Sequence, residues 1–177
     1  MRVLAVSDSH HDISCLVPAL RKFAAKVDMV AHLGDGAEDL EEAARAAKVP
    51  LPRWEAVRGN GDYEPWLQSR LLVGSAERPI LMLHGHYEGV SESPYGVVAA
   101  ASQAGASLVL FGHTHRPFFE EYHGILAVNP GSISRPRGRD FPTFALVDVP
   151  EEGNKWYDVE FYEVDRSSRR IRRIEVV

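Results

Sequence analysis

The stretch "LVLFGHTHRP", residues 108–117, passes directly from a run of four apolar residues to Gly112, His113, Thr114 and His115. A short continuous apolar run of this kind is typical of a strand that is buried on both faces. Two histidines separated by one residue at the end of a strand can reach different partners. Ordinary surface histidines would fit the same pattern, and the choice depends on the residues that the rest of the chain places beside them.

Signals for strands and helices alternate through the first two-thirds of the chain. Predicted helices cover residues 14–26, with Asp12 or Ser14 as the cap and Pro18 near the first turn, and residues 37–48 and 94–105. The predicted strands of this part are "RVLAVS" (2–7), "DMVAHL" (28–33), "RWEAVR" (53–58), "RLLVGS" (70–75), "RPILMLHG" (78–85) and "SLVLFG" (107–112).

After residue 116 only strand signals follow one another, with turn residues between them. No long polar linker separates the two parts, so we expect a single domain over residues 1–177, with two packed sheets and outer helices. The strands predicted in the second part are "PFFEEY" (117–122), "GILAVN" (124–129), "TFALVDV" (143–149), "KWYDVEFYEV" (155–164) and "RIRRIEVV" (170–177).

Length, charge and cysteine content restrict the classes of protein to which the chain can belong. A chain of 177 residues, 45% of them hydrophobic and 25% charged, is long enough to bury a full core. The net charge of −5 argues against a nucleic-acid-binding surface, and no apolar run approaches the roughly 18 residues of a membrane span. Cys15 is the single cysteine, so no intrachain disulfide can form. We therefore expect a cytoplasmic protein.

Residues that can bind metal ions or transfer protons follow five of the predicted strands. In α/β proteins the carboxyl ends of the strands meet at one edge, where binding sites form. The neighbouring glycines let the backbone approach a ligand closely. The five groups are Asp8-Ser9-His10, His32-Leu33-Gly34-Asp35, Gly59-Asn60-Gly61-Asp62, His84-Gly85-His86 and Gly112-His113-Thr114-His115.

Each group has a plainer interpretation when it is taken alone. An aspartate after a strand commonly forms a turn or caps a helix. Asn60-Gly61 is typical of a hairpin turn, and His84 is compatible with a hydrogen-bonded core histidine. The coincidence of such residues at five separate strand ends favours a metal site over these separate interpretations.

In this order, "DSH", "GD", "GNGD", "HGH" and "GHTH" resemble the five motifs of the calcineurin-like metallophosphoesterases. "NPGS" (129–132), followed by Pro136-Arg137-Gly138, is similar to the small phosphodiesterase branch of that superfamily. The resemblance extends over about residues 1–150. It implies the family's α/β fold, a four-layer α/β/β/α sandwich of two mixed sheets flanked by helices. The retromer scaffold subunit shares this fold.

The resemblance also implies a site for two divalent metal ions. The histidines of "GHTH" would then bind different ions. Mixed imidazole and oxygen ligands favour transition metals over Mg or Ca, and we expect Mn, with Zn, Fe, Ni and Co as the alternatives. The implied ligands of the first ion are Asp8, His10 and His115. Those of the second ion are Asn60, His84 and His113, and Asp35 would bind both ions.

The implied activity is hydrolysis of a small phosphate ester, with a phosphodiester as the expected substrate. Two cations about 3.5–4 Å apart lower the pKa of a shared water, and the resulting hydroxide attacks phosphorus. Asp35, Asn60 and His84 are expected to act directly in catalysis. The alternatives are a non-catalytic metal-binding scaffold of the same fold and a binuclear hydrolase with a different substrate. Assembly into a homo-oligomer stays open.

Other polar residues near the motifs have less specific interpretations. His32 is predicted to be a hydrogen-bonded structural histidine, and Asp62 to orient Asn60 as an acceptor. His86 can face the substrate or hydrogen-bond to its own loop, and His123 falls in a predicted surface turn. A solvated loop is favoured over a substrate contact for the basic stretch formed by Arg135, Arg137 and Arg139.

Gly61 is a departure from the wider superfamily. Many members have a histidine immediately after the asparagine of the third motif, and it is thought to protonate the leaving group. The small phosphodiesterase branch commonly lacks this histidine, so activity is not excluded. Proton donation would then come from water or His86, or be unnecessary for good leaving groups.

Overall fold

The computed structural model describes residues 1–151 and 156–176, and strands alternate with helices in its first half, as the sequence predicts. Each element predicted up to residue 112 is present, with its ends shifted by a few residues at most. These elements are β1 (Arg2–Val6), α1 (Leu16–Phe23) continued by a 3-10 turn (Ala24–Lys26), β2 (Met29–His32), α2 (Asp39–Ala47), β3 (Arg53–Ala56), β4 (Arg70–Gly74), β5 (Pro79–Leu83), α3 (Tyr95–Gln103) and β6 (Leu108–Leu110).

The described part of the second half consists of strands joined by turns, again as predicted. Two of the predicted strands extend to Lys155 and Val177, which lie outside the described residues. The strands are β7 (Pro117–Tyr122), β8 (Ile125–Pro130), β9 (Thr143–Asp148), β10 (Asp158–Val164) and β11 (Ile171–Ile174).

The strands form two mixed sheets. The first has the order β11-β10-β9-β1-β2-β3, in which β1, β2 and β3 are parallel and the other three strands are antiparallel to their neighbours. The second has the order β4-β5-β6-β8-β7, with β5, β6 and β8 parallel and β4 and β7 antiparallel at its edges. The parallel strands β1, β2, β5, β6 and β8 lie inside their sheets, where both faces can be covered, and β3 forms an edge of the first sheet.

The sheets pack face to face, and helices cover their outer faces. Val3 of β1 belongs to the core between the sheets, whereas its neighbour Leu4 packs with α1 and α2. In β5, Met82 faces the core between the sheets and Leu81 packs with α3. This two-residue alternation explains why the central strands are apolar at nearly every position. The predicted four-layer α/β/β/α sandwich is confirmed.

None of the helices in the described residues has the length and apolar character of a membrane span.

The predicted cap of α1 is wrong. Cys15 occupies the N-cap position without a side-chain hydrogen bond, and the Asp12 carboxylate accepts a hydrogen bond from the N–H of Ser14 at 2.9 Å. Pro18 lies in the first turn of α1, where its missing N–H removes no intrahelical bond.

Candidate metal centre

The loops that follow β1, β2, β3, β5 and β6 carry the predicted ligands. Backbone hydrogen bonds join these loops: the N–H of Asp8 donates to the carbonyl of Gly34 at 3.0 Å, and that of Gly112 to the carbonyl of His84 at 3.1 Å. His84 follows β5 of the second sheet, yet its Nδ1 lies 2.6 Å from the carbonyl oxygen of Leu33, which follows β2 of the first sheet. The ligand loops of the two sheets therefore meet at one rim.

Asp8, His10 and His115 form the first group of converging ligand atoms. His115 Nε2 lies 3.2 Å from Asp8 Oδ1 and 3.2 Å from His10 Nε2. His10 Nε2 lies 3.9 Å from the same Asp8 oxygen. Three atoms in this arrangement could hold one metal ion. These are the three residues predicted to bind the first ion.

The second group surrounds the buried side chain of His84. Its Nε2 lies 3.6 Å from Asp35 Oδ2 and 3.2 Å from Asn60 Oδ1. The His113 ring packs against it, with 5.1 Å between the ring centroids. The structure therefore brings together the four residues predicted to surround the second ion.

Two carboxylates, rather than one, lie between these groups. Asp35 Oδ2 is 3.8 Å from His10 Nε2 and 3.6 Å from His84 Nε2. Asp8 Oδ1 is 3.9 Å from each of the same two nitrogens. Sequence reasoning identified only Asp35 as the bridge, whereas Asp8, Asp35 and His84 also converge as a group that could hold an ion.

Each of these aspartates uses one oxygen for the backbone and directs the other into the site. Asp8 Oδ2 accepts a hydrogen bond from the N–H of His113 at 3.1 Å, and Asp35 Oδ1 accepts one from the N–H of Gly61 at 2.6 Å. Asp8 Oδ1 is fully buried and has no hydrogen-bond partner among the described residues. A buried anionic oxygen without a donor is costly, and a bound cation would remove that cost.

Hydrogen bonds to backbone carbonyls orient two of the histidines. His84 Nδ1 faces the carbonyl of Leu33 and His115 Nδ1 that of Arg135, each at 2.6 Å. A carbonyl oxygen only accepts, so the proton of each neutral ring is on Nδ1 and the Nε2 lone pair faces the site. Metal-binding histidines in proteins are held in this way.

The charges of Asp8 and His115 are coupled. Burial raises the pKa of the Asp8 carboxyl, but the His115 ring, whose Nε2 lies 3.2 Å from Asp8 Oδ1, and the charge of His84 outweigh it, and the net shift is downward. Burial lowers the pKa of His115, but the adjacent Asp8 carboxylate and the Arg135 carbonyl outweigh it, and the net shift is upward. The charged forms of Asp8 and His115 therefore stabilise each other.

Lowered pKa values favour the neutral, metal-binding form of three further histidines, His10, His86 and His113. Burial lowers the pKa of His10, and the opposing attraction of Asp35 and Asp8 only partly offsets it. Burial and the nearby His84 lower the pKa values of His86 and His113. Neutral imidazole is the ligand form, so the donor set fits divalent transition metals.

The backbone of the ligand loops is strained. Non-glycine residues rarely adopt a positive φ, and such strain concentrates at functional sites. No local sequence signal predicts this conformation, because these residues are not glycines but five of the proposed ligands and the neighbouring His11. The residues concerned and their φ values are Asp8 (55°), His10 (47°), His11 (61°), Asp35 (57°), His113 (70°) and His115 (60°).

Two glycines allow neighbouring loops to come close to the aspartates. A Cβ on Gly59 would lie 2.1 Å from Asp35 Oδ1, and one on Gly112 would lie 2.0 Å from the hydroxyl of Ser7 and 3.0 Å from Asp8 Oδ2. These separations are far below van der Waals contact. Glycine is required at both positions for the carboxylates to hold their places.

Asp62 organises the site differently from the sequence-based expectation. Its carboxylate accepts hydrogen bonds from the N–H groups of Asp35 (2.8 Å), Gly59 (2.8 Å) and Gly36 (2.7 Å). Burial raises its pKa, but these backbone donors outweigh it and the net shift is downward. Asp62 therefore holds the backbone around Asp35 and does not orient the Asn60 side chain.

His32 is a structural histidine, as predicted. It is fully buried, and its Nδ1 accepts a hydrogen bond from the N–H of Gly34 at 3.2 Å. Its Nε2–H can therefore donate to the Ser9 hydroxyl at 3.0 Å, which donates in turn to Asp39 at 2.5 Å. This chain joins the loops after β1 and β2 behind the ligands.

Sequence reasoning assigned no role to the side chains of the "NPGS" segment and the serine that follows it. The hydroxyls of Ser132 and Ser134 both donate to the carbonyl of Asp8 at 2.8 Å. Asn129 donates from Nδ2 to the carbonyl of Gly112 at 2.7 Å. These buried contacts hold the loops that carry Asp8, His113 and His115. The resemblance of "NPGS" to the small phosphodiesterase branch was the sequence signal that could have identified these residues.

The remaining polar residues lie around the rim. The His86 ring is 5.3 Å from that of His84 and 3.9 Å from that of Tyr87, between centroids, so it lies beside the second group. His123 is exposed in a turn, as predicted. Arg135 and Arg137 are exposed, and Arg139 is half-buried.

Comparison with known proteins agrees with this geometry. Residues 1–152 match the family model of the calcineurin-like phosphoesterase superfamily domain. The probable metallophosphoesterase YsnB of Bacillus subtilis is 31% identical over 173 residues, covering 97% of this chain and 99% of YsnB. The chain therefore belongs to the calcineurin-like phosphoesterase superfamily.

Two further relatives differ in what they support. Phosphodiesterase YfcE of Escherichia coli K12 is 29% identical over 172 residues, covering 84% of this chain and 88% of YfcE. The crystal structure of Vps29 from Chaetomium thermophilum superposes with a TM-score of 0.77 at 23% identity, covering 99% of this chain and 97% of Vps29. At that identity the similarity establishes the fold alone and leaves a non-catalytic role open.

Proposed function

We propose that the chain is a metal-dependent phosphoesterase whose substrates are small phosphodiesters. One observation carries the proposal. Two buried carboxylates and three imidazoles direct ligand atoms toward the same point, within 4 Å of their neighbours, and one of these atoms, Asp8 Oδ1, has no hydrogen-bond partner in the described residues. The converging atoms are Asp8 Oδ1, Asp35 Oδ2 and the Nε2 atoms of His10, His84 and His115.

The donor set is proposed to hold two divalent ions, with manganese as the first choice and Zn, Fe, Ni and Co as alternatives. When bound, such ions would supply positive charge for the phosphoryl group and an activated water for attack on phosphorus. The proposed ligands are Asp8, His10, Asp35, Asn60, His84, His113 and His115.

The chain's own residues orient and hold this centre. His84 and His115 are fixed by carbonyl hydrogen bonds, so neither ring has to reorient on binding. The residues proposed to act directly in catalysis are Asp35, Asn60 and His84. They lie together in the second group, and the exposed Asn60 is on its solvent side. A small phosphate ester would reach the centre from that side.

Protonation of the leaving group is the step for which this chain offers the fewest candidate residues. The position after Asn60 is glycine, and His86 is a neighbouring side chain whose Nδ1 has no hydrogen-bond partner in the described residues. General acid catalysis contributes about 10²–10⁴-fold and matters most for poor leaving groups. We therefore propose that hydrolysis depends steeply on the pKa of the leaving group.

The relatives support the reaction class more than the substrate. YfcE is named a phosphodiesterase and YsnB a probable metallophosphoesterase, and both match over most of this chain. The second candidate function is a non-catalytic metal-binding scaffold, which the Vps29 fold allows. The retention of every proposed ligand favours catalysis, because a scaffold does not need a complete metal site.

The test combines a metal assay with a substrate panel. The purified protein is analysed by inductively coupled plasma mass spectrometry and then assayed on phosphate monoesters and diesters with Mn²⁺ and with chelator. We expect two transition-metal ions per chain and chelator-sensitive hydrolysis of diesters. Two bound ions without turnover on any ester would favour the scaffold, and turnover unaffected by chelation would contradict metal dependence.

A series of diesters with rising leaving-group pKa tests the missing acid. Wild type is expected to hydrolyse aryl diesters fast and alkyl diesters slowly. Gly61 does not have a positive φ, and a Cβ there would lie 3.2 Å from Asp35 Oδ1, so Gly61→His is accommodated if that carboxylate moves slightly. A flat series in wild type that steepens in His86→Ala would instead identify His86 as the acid.

A further inference from the structure

A cavity of about 450 Å³ opens beside the metal centre and includes none of its proposed ligands among its lining residues. Thr114, which lies between His113 and His115 in the chain, is part of its wall. On the other side the wall comes from Val90 and Pro94, in the segment that follows His84 and leads into α3. A group attached to a phosphoryl unit at the centre could therefore extend into this cavity.

The inner part of the cavity is apolar. Phe111 is 2% exposed and Val90 is 6% exposed, so both are packed into the core. Phe118 joins them, with its ring 6.0 Å from that of Phe111, between centroids, in an edge-to-face arrangement. Aromatic rings in this geometry favour a further flat ring against them.

The mouth of the cavity is cationic. Arg116 and Arg137 line it, both are exposed, and neither forms an ion pair with another described residue. The two lie on the same wall, because a Cβ on Gly138, next to Arg137, would be 4.0 Å from Arg116 Nε. Two uncompensated guanidinium groups stand out in a chain of net charge −5. They suit a carboxylate or a second phosphate.

We propose that this cavity selects the organic group of the substrate, and that it favours an aryl group carrying an additional anionic substituent. The inference rests on the proposed phosphoesterase function and narrows its substrate class. The apolar inner wall would contact the ring, and Arg116 and Arg137 would contact the anion. A cavity of this volume falls in the usual range for small-molecule sites, about 300–1,000 Å³.

Phosphonates test the inference without any dependence on turnover, because their P–C bond is not hydrolysed. Binding of methylphosphonate, phenylphosphonate and 4-carboxyphenylphosphonate to the Mn²⁺-loaded protein is measured by isothermal titration calorimetry. We expect affinity to rise in that order, with about a fivefold gain from the carboxylate, since an exposed ion pair contributes up to about 1 kcal/mol.

Variants separate the charge from the ring. In Arg116→Gln and Arg137→Gln the gain from the carboxylate should fall toward onefold, while the preference for phenyl over methyl persists. Arg139→Gln is the matched control, because Arg139 belongs to the same loop but does not line the cavity, and it should keep the full gain.

The outcomes distinguish this inference from the proposed function. Equal affinity of wild type for the two aryl phosphonates, or a gain that survives the Arg116→Gln/Arg137→Gln double variant, would overturn the selection of an anionic aryl group even if diesters are hydrolysed. An arginine-dependent gain in a protein that hydrolyses no ester would support the cavity's selectivity and reject the phosphoesterase proposal.

Discussion

The two oxygens of Asp35 have different partners. Oδ1 accepts the N–H of Gly61, and Oδ2 faces both His10 and His84. Asp35→Asn should keep the fold, because the residue lies on a loop beyond the core strands, but lower the occupancy of both ions and abolish hydrolysis. Metal content by mass spectrometry and thermal melting by circular dichroism measure the two effects.

Asp140→Asn is the matched control for this change, because Asp140 is exposed and belongs to a different loop. It should leave metal content and turnover at wild-type levels. Two metal ions per chain and near wild-type turnover in Asp35→Asn would show that the bridging role belongs elsewhere. Asp8 is then the alternative, since its Oδ1 lies equally close to His10 and His84.

The histidines of "GHTH" face different groups of ligands. His115 contacts Asp8 and His10, whereas the His113 ring packs against His84. His115→Ala should therefore deplete the first ion and His113→Ala the second. Anomalous scattering from crystals of each variant grown with Mn²⁺ is the measurement. Loss of the same ion in both variants would contradict the separate assignment.

Asp62 holds the loops through three backbone N–H groups rather than by touching the centre. Asp62→Asn replaces one acceptor oxygen by a donor that opposes an N–H group. We expect the free energy of unfolding to fall by about 1–3 kcal/mol and metal affinity to fall by about 10–100-fold. Urea unfolding without metal and Mn²⁺ titration measure the two quantities.

Asp165→Asn separates local stability from metal binding. Asp165 also accepts two backbone N–H groups, from Ser167 and Ser168, but in a turn between β10 and β11. It should lose some stability and keep wild-type metal affinity. If Asp62→Asn binds Mn²⁺ as tightly as Asp165→Asn does, Asp62 does not position the ligands.

Helix α2 ends on a residue in an unfavourable conformation. Lys48, at the C-cap, is exposed and has φ 58° and ψ 43°, in the left-handed region that costs a non-glycine residue about 1–2 kcal/mol. Lys48→Gly should remove that strain and, after the entropic cost of glycine, raise the free energy of unfolding by up to about 1 kcal/mol.

The urea midpoint measures this change, with Lys26→Gly as the control. Lys26 is also an exposed lysine near the end of a helical segment, but its φ is not positive. Glycine there should lower stability by about 0.5–1 kcal/mol. A lower midpoint for Lys48→Gly as well would mean that the left-handed cap is not strained.

Metal binding should stabilise the whole sandwich, because the ligands come from loops of both sheets. A ligand that binds only the folded chain at 100 times its Kd adds about 2.7 kcal/mol per site. For a domain of this size that corresponds to a rise in Tm of roughly 5–10 °C for each occupied site. Calorimetry of the chelator-treated protein with and without Mn²⁺ tests this.

The Asp35→Asn variant should show a much smaller rise. Mg²⁺ is the control ion, since it binds mixed imidazole and oxygen sites weakly. Equal Tm values with and without Mn²⁺ would contradict a metal site built from these loops.

The cytoplasmic location and any homo-oligomer stay predictions. Analytical ultracentrifugation of the metal-loaded protein tests the oligomeric state.

The order and type of the elements could be predicted from the sequence because they depend on local patterns. Apolar runs such as residues 3–6 mark strands that are buried on both faces, and Gly105, at φ 68°, marks the end of α3. The loops that carry the proposed ligands could also be predicted from local sequence, because metal-ligand residue types follow five of the predicted strands. The single domain over residues 1–177 stays a prediction.

Tertiary structure decided the relations between those loops. Asp8 becomes a second carboxylate between the histidine groups only because the two sheets pack together, so that the loop after β1, which also carries His10, meets the loops that carry His84 and His115. The support given to Asp8 by Ser132 and Ser134 arises from contacts more than 120 residues apart in the chain. Local propensity contains no information about such distances.

The sequence by itself determined the class of fold and the chemical types available at the rim, because both follow from side-chain alternation and residue identity. Only the packed structure decided which nitrogen of each histidine faces the site, that Asp62 holds Asp35 rather than Asn60, and that Arg116 and Arg137 border one cavity. Those features depend on hydrogen bonds and burial between segments that meet only when the two sheets pack together.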